Sequence, residues 1–266
     1  MKRYMLPIVA FCALLSCKKE HTDTQQLENS KQVLTKIIKT ADYGGGTLSV
    51  DYAYNSAGKL IKEGNKTYER DNQQRIVRIL EPGTSTNEND IQVHYNQKNP
   101  NLVDYTFCAM TKIDATDSVV YLHDNNGRLI KTMSYTTWFS DRDVPPIAFL
   151  SEYETFSYDP KGNLIQVNIY VREYDGRETL SGEYYFINYD KGINPLYTGD
   201  EVRAIDFSCG SLFISYYGII NNSMNNFTSI NNYYTKLYEY RADGRPRSCL
   251  VQQNGNNIFR LVYEYK

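Results

Sequence analysis

The sequence predicts an all-β fold: a single antiparallel meander of serial hairpins, bent into a strongly curved or barrel-like sheet. Three observations carry that prediction. A phrase of the form Tyr-x-Tyr/His-Asp/Asn-x-x-Gly-Lys/Arg-Leu-Ile recurs along the chain. Apolar and polar residues alternate on either side of it, which is the period of a half-buried strand. Aromatic residues make up 14% of the chain, with 25 tyrosines among 266 residues, a residue type that favours strands.

The first element is not part of that fold. Lys2 and Arg3 form a positive start and residues 6–15 an apolar run, the length of a signal-peptide core and too short to span a bilayer, which takes ~20 residues. Residues 1–16 are therefore expected to be removed. The cut site, Leu14-Leu15-Ser16-Cys17, resembles the lipobox of bacterial lipoproteins. That resemblance implies that Cys17 becomes the lipidated first residue and ties the chain to a membrane. Lys18, where an aspartate would mark retention at the inner membrane, implies the outer membrane, with surface exposure as a further option. Residues 17–32 then read as the lipidated cysteine and a polar, aperiodic tether.

Residues 33–266 form the predicted β domain. The run 33–40 fits a strand better than a short helix, because three glycines and another alternating strand, 48–54, follow it closely. The repeated phrase then begins. Copies are Tyr52-Ala-Tyr54-Asn55-Ser-Ala-Gly58-Lys59-Leu60, Tyr121-Leu-His123-Asp124-Asn-Asn-Gly127-Arg128-Leu129, Phe156-Ser-Tyr158-Asp159-Pro-Lys-Gly162-Asn163-Leu164 and Tyr238-Glu-Tyr240-Arg241-Ala-Asp243-Gly244-Arg245. A decayed copy runs from Tyr68 to Arg78, and Asn-Pro variants start at Tyr95 and Tyr189. Aromatic residues two apart share a face of a strand. The Asn or Asp starts a turn by bonding its own backbone two residues on. The Gly then takes the left-handed conformation of a type I turn with a bulge. Asn55, Gly58, Asp124, Gly127, Asp159, Gly162, Asp243 and Gly244 are accordingly structural turn residues. Further strands fit 104–113, 118–121, 164–173, 182–189, 202–207, 212–217 and 258–265. Spacing between copies is irregular, which suits a meander and not a solenoid of fixed period.

The phrase resembles the YD, or RHS-type, repeats. More closely, a lipobox followed by irregular YD-like hairpins and Asn-Pro-Leu variants resembles a family of Gram-negative lipoproteins of unknown function with a porin-like fold. The resemblance covers residues 33–266 and implies architecture, not an activity. Against a spanning barrel stand tyrosine-rich apolar faces, charge throughout, a terminal Lys266 in place of an aromatic residue and an anchor that such a barrel would not need. The expectation is thus a soluble sheet, curved or closed, rather than a membrane-spanning one.

Chemistry is sparse. The formal charge is −2, falling to −4 once Lys2 and Arg3 leave with the signal, and no basic patch points to nucleic acid. No HExxH, G-x-S-x-G or phosphate-binding loop occurs, so no enzyme, cofactor or metal is expected. His94 and His123 are scattered on strands. A carboxylate pair for a glycan hydrolase stays open among Glu63, Glu81, Glu152, Glu173 and Glu183. Cys108, Cys209 and Cys249 lie in strand-like runs without Cys-x-x-Cys spacing; one pair could bridge in an oxidising envelope, but buried thiols fit better. Two stretches escape the repeat and read as long loops: 136–150, with Trp138 beside Phe139, and the asparagine-rich 218–234, with Phe227, Tyr233 and Tyr234. Those five aromatic residues are the predicted contacts for a glycan, peptide or envelope partner. The alternative is an assembly protein of the envelope with no small ligand.

Overall fold

The computed structural model describes residues 32–42, 44–81, 89–110, 115–138, 147–173, 175–196 and 225–266. Among these there are sixteen strands and no helix. They are β1 (Leu34–Ala41), β2 (Thr47–Tyr54), β3 (Leu60–Glu63), β4 (Lys66–Arg70), β5 (Ile76–Glu81), β6 (Asn89–Tyr95), β7 (Val103–Met110) and β8 (Ala115–His123). β9 (Leu129–Trp138), β10 (Ile147–Tyr158), β11 (Leu164–Arg172), β12 (Glu178–Ile193), β13 (Asn225–Ile230), β14 (Tyr234–Tyr240), β15 (Pro246–Gln253) and β16 (Asn256–Tyr265) follow. The strands expected at 202–207 and 212–217 lie outside the described residues. The domain from Val33 to Lys266 is one compact unit.

Every strand pairs antiparallel with its neighbours in sequence, and β1 also pairs with β16, so the sheet closes into a barrel. Ile37 sits opposite Tyr263 on one side and Val50 on the other. Val33 and Lys266 lock the seam by exchanging two backbone hydrogen bonds of 3.0 Å. This overturns the expectation of a soluble sheet set against a porin-like barrel. The sequence features used to argue that point have other roles. Lys266 closes the seam through its backbone, where its side chain is immaterial, and Tyr52, Tyr68, Tyr121 and Tyr263 pack into the lumen.

All the repeat turns sit on one rim, with both ends of the domain. The turns at 55–59, 71–75, 124–128, 159–163 and 241–245 close through the same two bonds: Gly127, for example, donates to the Asp124 carbonyl and Asp124 to the Arg128 carbonyl, both at 2.9 Å, whereas in the Asn-Pro variant Asn96 donates to the Leu102 carbonyl. Gly58, Gly127, Gly162 and Gly244 all have φ between +72° and +88°, where a side chain is strained. Asp243 is an exception to the expected pattern, because Arg241 starts that turn: Gly244 donates to its carbonyl. Glu173 to Arg177 makes a further turn of the same type that the sequence reading passed over, on the opposite rim.

A bulge follows each repeat turn, its extra residue coming directly after the first residue of the returning strand, which pairs with the last residue before the turn. The pairs are Tyr54 with Leu60, Arg70 with Ile76, Tyr95 with Val103, His123 with Leu129, Tyr158 with Leu164 and Tyr240 with Pro246. All six returning residues are buried. A closed single-layer barrel has one covered face, so these side chains pack into the lumen. There they join one apolar cluster that includes Tyr52, Tyr68, Ile91, Val119, Phe156, Val167, Phe186, Phe227, Val251 and Phe259. The outer face of the first strands is charged instead. Lys36 pairs with Asp51 at 3.2 Å, and Arg78 grips Asp90 with Nε at 2.7 Å and Nη2 at 2.6 Å.

Candidate functional site

The five aromatic residues named from the sequence do not converge. Phe139 and Cys17, the expected lipidation site, lie outside the described residues. Trp138 is the last residue of β9, paired with Ala115 and Ile147, and so stands on a strand and not in a loop. The asparagine-rich stretch is likewise not one loop. β13 occupies Asn225–Ile230, and Asn231 and Asn232, both in the left-handed region, make a tight turn into β14. Phe227 is 1% exposed, edge-on to Phe186 with centroids 5.5 Å apart. A residue so buried is a packing element. Tyr233 is 41% exposed on the rim opposite the repeat turns, edge-on to Tyr234 and bonded to Gln253.

The lumen holds two polar features, one at Glu152 and Glu154 and one at Lys236. Glu152 and Glu154, two apart on β10, both face inward. The Thr132 hydroxyl donates to Glu154 at 3.0 Å. Burial pushes the Glu154 carboxyl up to about 7, against that hydrogen bond and with the Glu152 charge adding to the rise. Burial raises Glu152 as well. Of the other sequence-named carboxylates, Glu63 accepts from the Tyr68 hydroxyl, Glu81 pairs with Lys66, Glu173 forms a turn and Glu183 accepts from Gln166 on the outer face. No second carboxylate among them reaches Glu152. On β14, Lys236 places its ammonium 3.8 Å from the Phe227 ring centre. Burial lowers its pKa to about 8, while the Cys249 thiol, also buried, rises to about 11. Cys108 and Cys249 are free thiols. Among the described residues no three potential ligands group around a metal position.

The outer face carries the other notable arrangement. His94, Tyr105, Val120, Met133, Tyr153, Tyr170 and Leu180 lie directly opposite one another on the seven strands β6 to β12. They make one unbroken apolar row across the sheet. His94 stacks on Tyr105 with centroids 4.3 Å apart, and Tyr153 on Tyr170 at 4.6 Å. Lys131 sits 4.0 Å over the Tyr153 ring, whose hydroxyl donates to Glu178 at 3.0 Å. Nothing in sequence order marks this row, because it exists only through the registers of seven strands.

No family model matches the sequence, and no curated protein matches it. A crystal structure of a porin-like protein from Bacteroides vulgatus superposes with a TM-score of 0.56 at 14% identity, covering 88% of this chain and 99% of that one. A porin-like protein from Bacteroides uniformis gives 0.40 at 14% identity over 88% and 98%. The Photorhabdus luminescens Tc holotoxin pore gives 0.27 at 15% identity, over 84% of this chain and 11% of that one. The first similarity is a similarity of fold, and the two lower scores add nothing to it. The chain has the closed antiparallel architecture of a porin-like barrel.

Proposed function

We propose that this is a lipid-anchored protein of the outer envelope that acts by binding and not by catalysis. Its partner, a glycan, peptide or envelope protein, docks at the rim opposite the repeat turns. One observation carries the reading. Both ends of the domain and every repeat turn share a single rim. A chain tethered through residues 17–32 is held by that rim and leaves the other free. On the free rim Leu48 is 67% exposed, although its strand face is the lumenal one; Val50 beside it on β2 and Tyr233 at the β13–β14 turn are exposed as well. Apolar side chains left open at the mouth of an otherwise filled lumen suit a binding edge. The porin-like fold agrees with an envelope location.

Two measurements test this. Metabolic labelling with a fatty acid is expected to mark the native chain and not Cys17→Ala; equal labelling removes the anchor. Binding of the purified domain to envelope polysaccharides and peptidoglycan peptides is expected to weaken in Leu48→Asp and Tyr233→Ala. A bound polymer indifferent to both variants removes the rim.

A further inference from the structure

We infer that the open edge of β12 at the free rim takes an extended peptide as an added strand. The inference deepens the binding reading above and rests on it for the choice of rim. β12 outruns one of its neighbours. It pairs with β11 from Glu178 to Tyr185, whereas β13 reaches only as far as Phe186, where Ile230 stands opposite. Past the β13–β14 turn, one edge of β12 therefore has no described strand beside it, over roughly 20 Å from Glu178 to Tyr184. Glu178, Thr179, Leu180, Ser181 and Glu183 are all exposed there, Leu180 by 52%.

Staggered strand ends are ordinary at a barrel rim, and what sets this edge apart is Asn231. Its backbone N–H donates to the Tyr185 carbonyl at 2.9 Å. Its side-chain carbonyl accepts from the Tyr185 N–H at 2.6 Å, and its side-chain amide donates to the Glu183 carbonyl at 2.9 Å. A side-chain amide thus occupies the place of the next peptide group along the edge. The same bonds fix which way the backbone faces. Tyr185 and Glu183 direct their groups away from β11, so Gly182, opposite Ile169, directs its groups toward it. Beyond the bulge at Ser181, Leu180 opposite Tyr170 is the alternate kind of pair, so Leu180 and then Glu178 face the open side again. An extended chain laid there continues the row that Asn231 begins.

The side chains select the occupant. Glu178, Leu180 and Glu183 follow one another on the outer face, and β11 already sets Arg172 opposite Glu178. A strand with basic residues on either side of an apolar one supplies the same complement from the open side. A second copy does not fit. Two β12 edges paired antiparallel about their midpoint bring Glu178 of one copy against Glu183 of the other, acid against acid. A glycan lacks the row of N–H and carbonyl groups at strand spacing that this edge calls for.

The test is hydrogen exchange of the full chain in detergent micelles, resolved to single amides. The probe is acetyl-Lys-Thr-Val-Thr-Lys-amide at millimolar concentration, and its counterpart with a central proline is the control. Without peptide the Leu180 amide is expected to exchange freely. The probe is expected to slow it and the proline control to leave it unchanged. Leu180→Pro removes the open N–H but no bond to β11, and is expected to abolish the slowing at Glu178 and Glu183. Leu180→Ala keeps the N–H and is expected to retain it. A Leu180 amide already slow without peptide shows that the edge is covered and overturns the proposal. Slowing that grows with protein concentration alone gives the edge to a second copy and overturns it too. A probe that slows only amides around Leu48 and Tyr233 overturns strand addition and leaves the rim reading standing. A probe that changes no rim amide also overturns strand addition, while polymer binding weakened by Leu48→Asp still decides the rim.

Discussion

The Tyr158 hydroxyl donates to the Leu129 carbonyl at 2.8 Å, bridging two hairpins that are 29 residues apart in the chain. The same bond recurs around the rim. Tyr95 donates to the Ile76 carbonyl at 3.0 Å, Tyr189 to Leu164 at 2.6 Å and Tyr265 to Pro246 at 2.9 Å. In the decayed copy Arg70 stands where the tyrosine would and donates through Nε to the Leu60 carbonyl at 2.9 Å. Each acceptor is the first residue of a returning strand, next to a bulge in the ladder. The third residue of the phrase is therefore a clasp that satisfies the previous hairpin and fixes its spacing. Arg75 over Tyr95, Arg128 over Tyr158 and Arg241 over Tyr265 add a cation to the ring. Four of the 25 tyrosines thus serve the scaffold as clasps.

Removing one clasp hydroxyl leaves a half-buried carbonyl short of a partner. Tyr158→Phe is expected to cost about 1 kcal/mol, and in a domain of this size to lower the Tm by about 2–4 °C. Tyr158→Phe with Tyr265→Phe should cost the sum, since the two sites lie at different hairpins. Urea denaturation of the single and double variants measures both. A native midpoint in Tyr158→Phe would show that water replaces the hydroxyl without loss.

Gly127 sits at φ +76°, and an added Cβ would meet only Leu102 at 3.5 Å, an ordinary contact. The strain of Gly127→Ala is thus conformational and not steric, about 1 kcal/mol. Gly192 poses the opposite problem. A Cβ there would run into the Tyr240 ring, which lies across the glycine with its hydroxyl on Asp190. Gly192→Ala must displace that ring and is expected to cost more than Gly127→Ala, by the overpacking range of about 1–3 kcal/mol. Comparing the two denaturation midpoints checks the order, and the reverse order would mean that Tyr240 moves freely.

How much of this was legible varied with the range of the signal. The repeat hairpins are local, so Asn55 to Gly58 or Asp124 to Gly127 could be read from a few residues. The seam was not legible, because β1 meets β16 across more than two hundred residues and nothing in either strand names its partner. Asparagine misled the reading of 218–234. Asn226 is buried within β13, its amide donating to the Ile193 carbonyl at 3.2 Å, while Asn231 and Asn232 make the turn. Glu152 was named from the sequence among five carboxylates, yet its neighbour Glu154 was not, although period two on a strand places both on one face.

That pair makes stability depend on pH. The folded Glu154 carboxyl titrates at about 7, above its ordinary 4.5, because burial disfavours the charge. The protonated form is favoured by folding, so its contribution is complete below the unfolded value and is lost as pH rises through about 7. The loss is on the order of 3 kcal/mol. Unfolding free energy should therefore fall between about pH 5 and pH 8, and Glu154→Gln should flatten the fall while keeping the hydrogen bond to Thr132. An unchanged slope in Glu154→Gln would assign the dependence to another group.

Closure itself is open to a direct check. Ile38 on β1 faces Val262 on β16, and both are neighbours only if the sheet joins its own end. Ile38→Cys with Val262→Cys is expected to form a disulfide within a monomer under mild oxidation, identified by the mass of the linked peptides. Ile38→Cys with Leu237→Cys is the control, since β14 is separated from the seam by β15 and β16. In an open curved sheet β1 and β16 would be its two free edges, and an intramolecular link could not form. Such edges would also present unpaired backbone to other chains and invite association. A link only between molecules would then return the fold to the open sheet, whereas the intramolecular link fixes the β1–β16 seam on which the rim, the lumen and the outer row all depend.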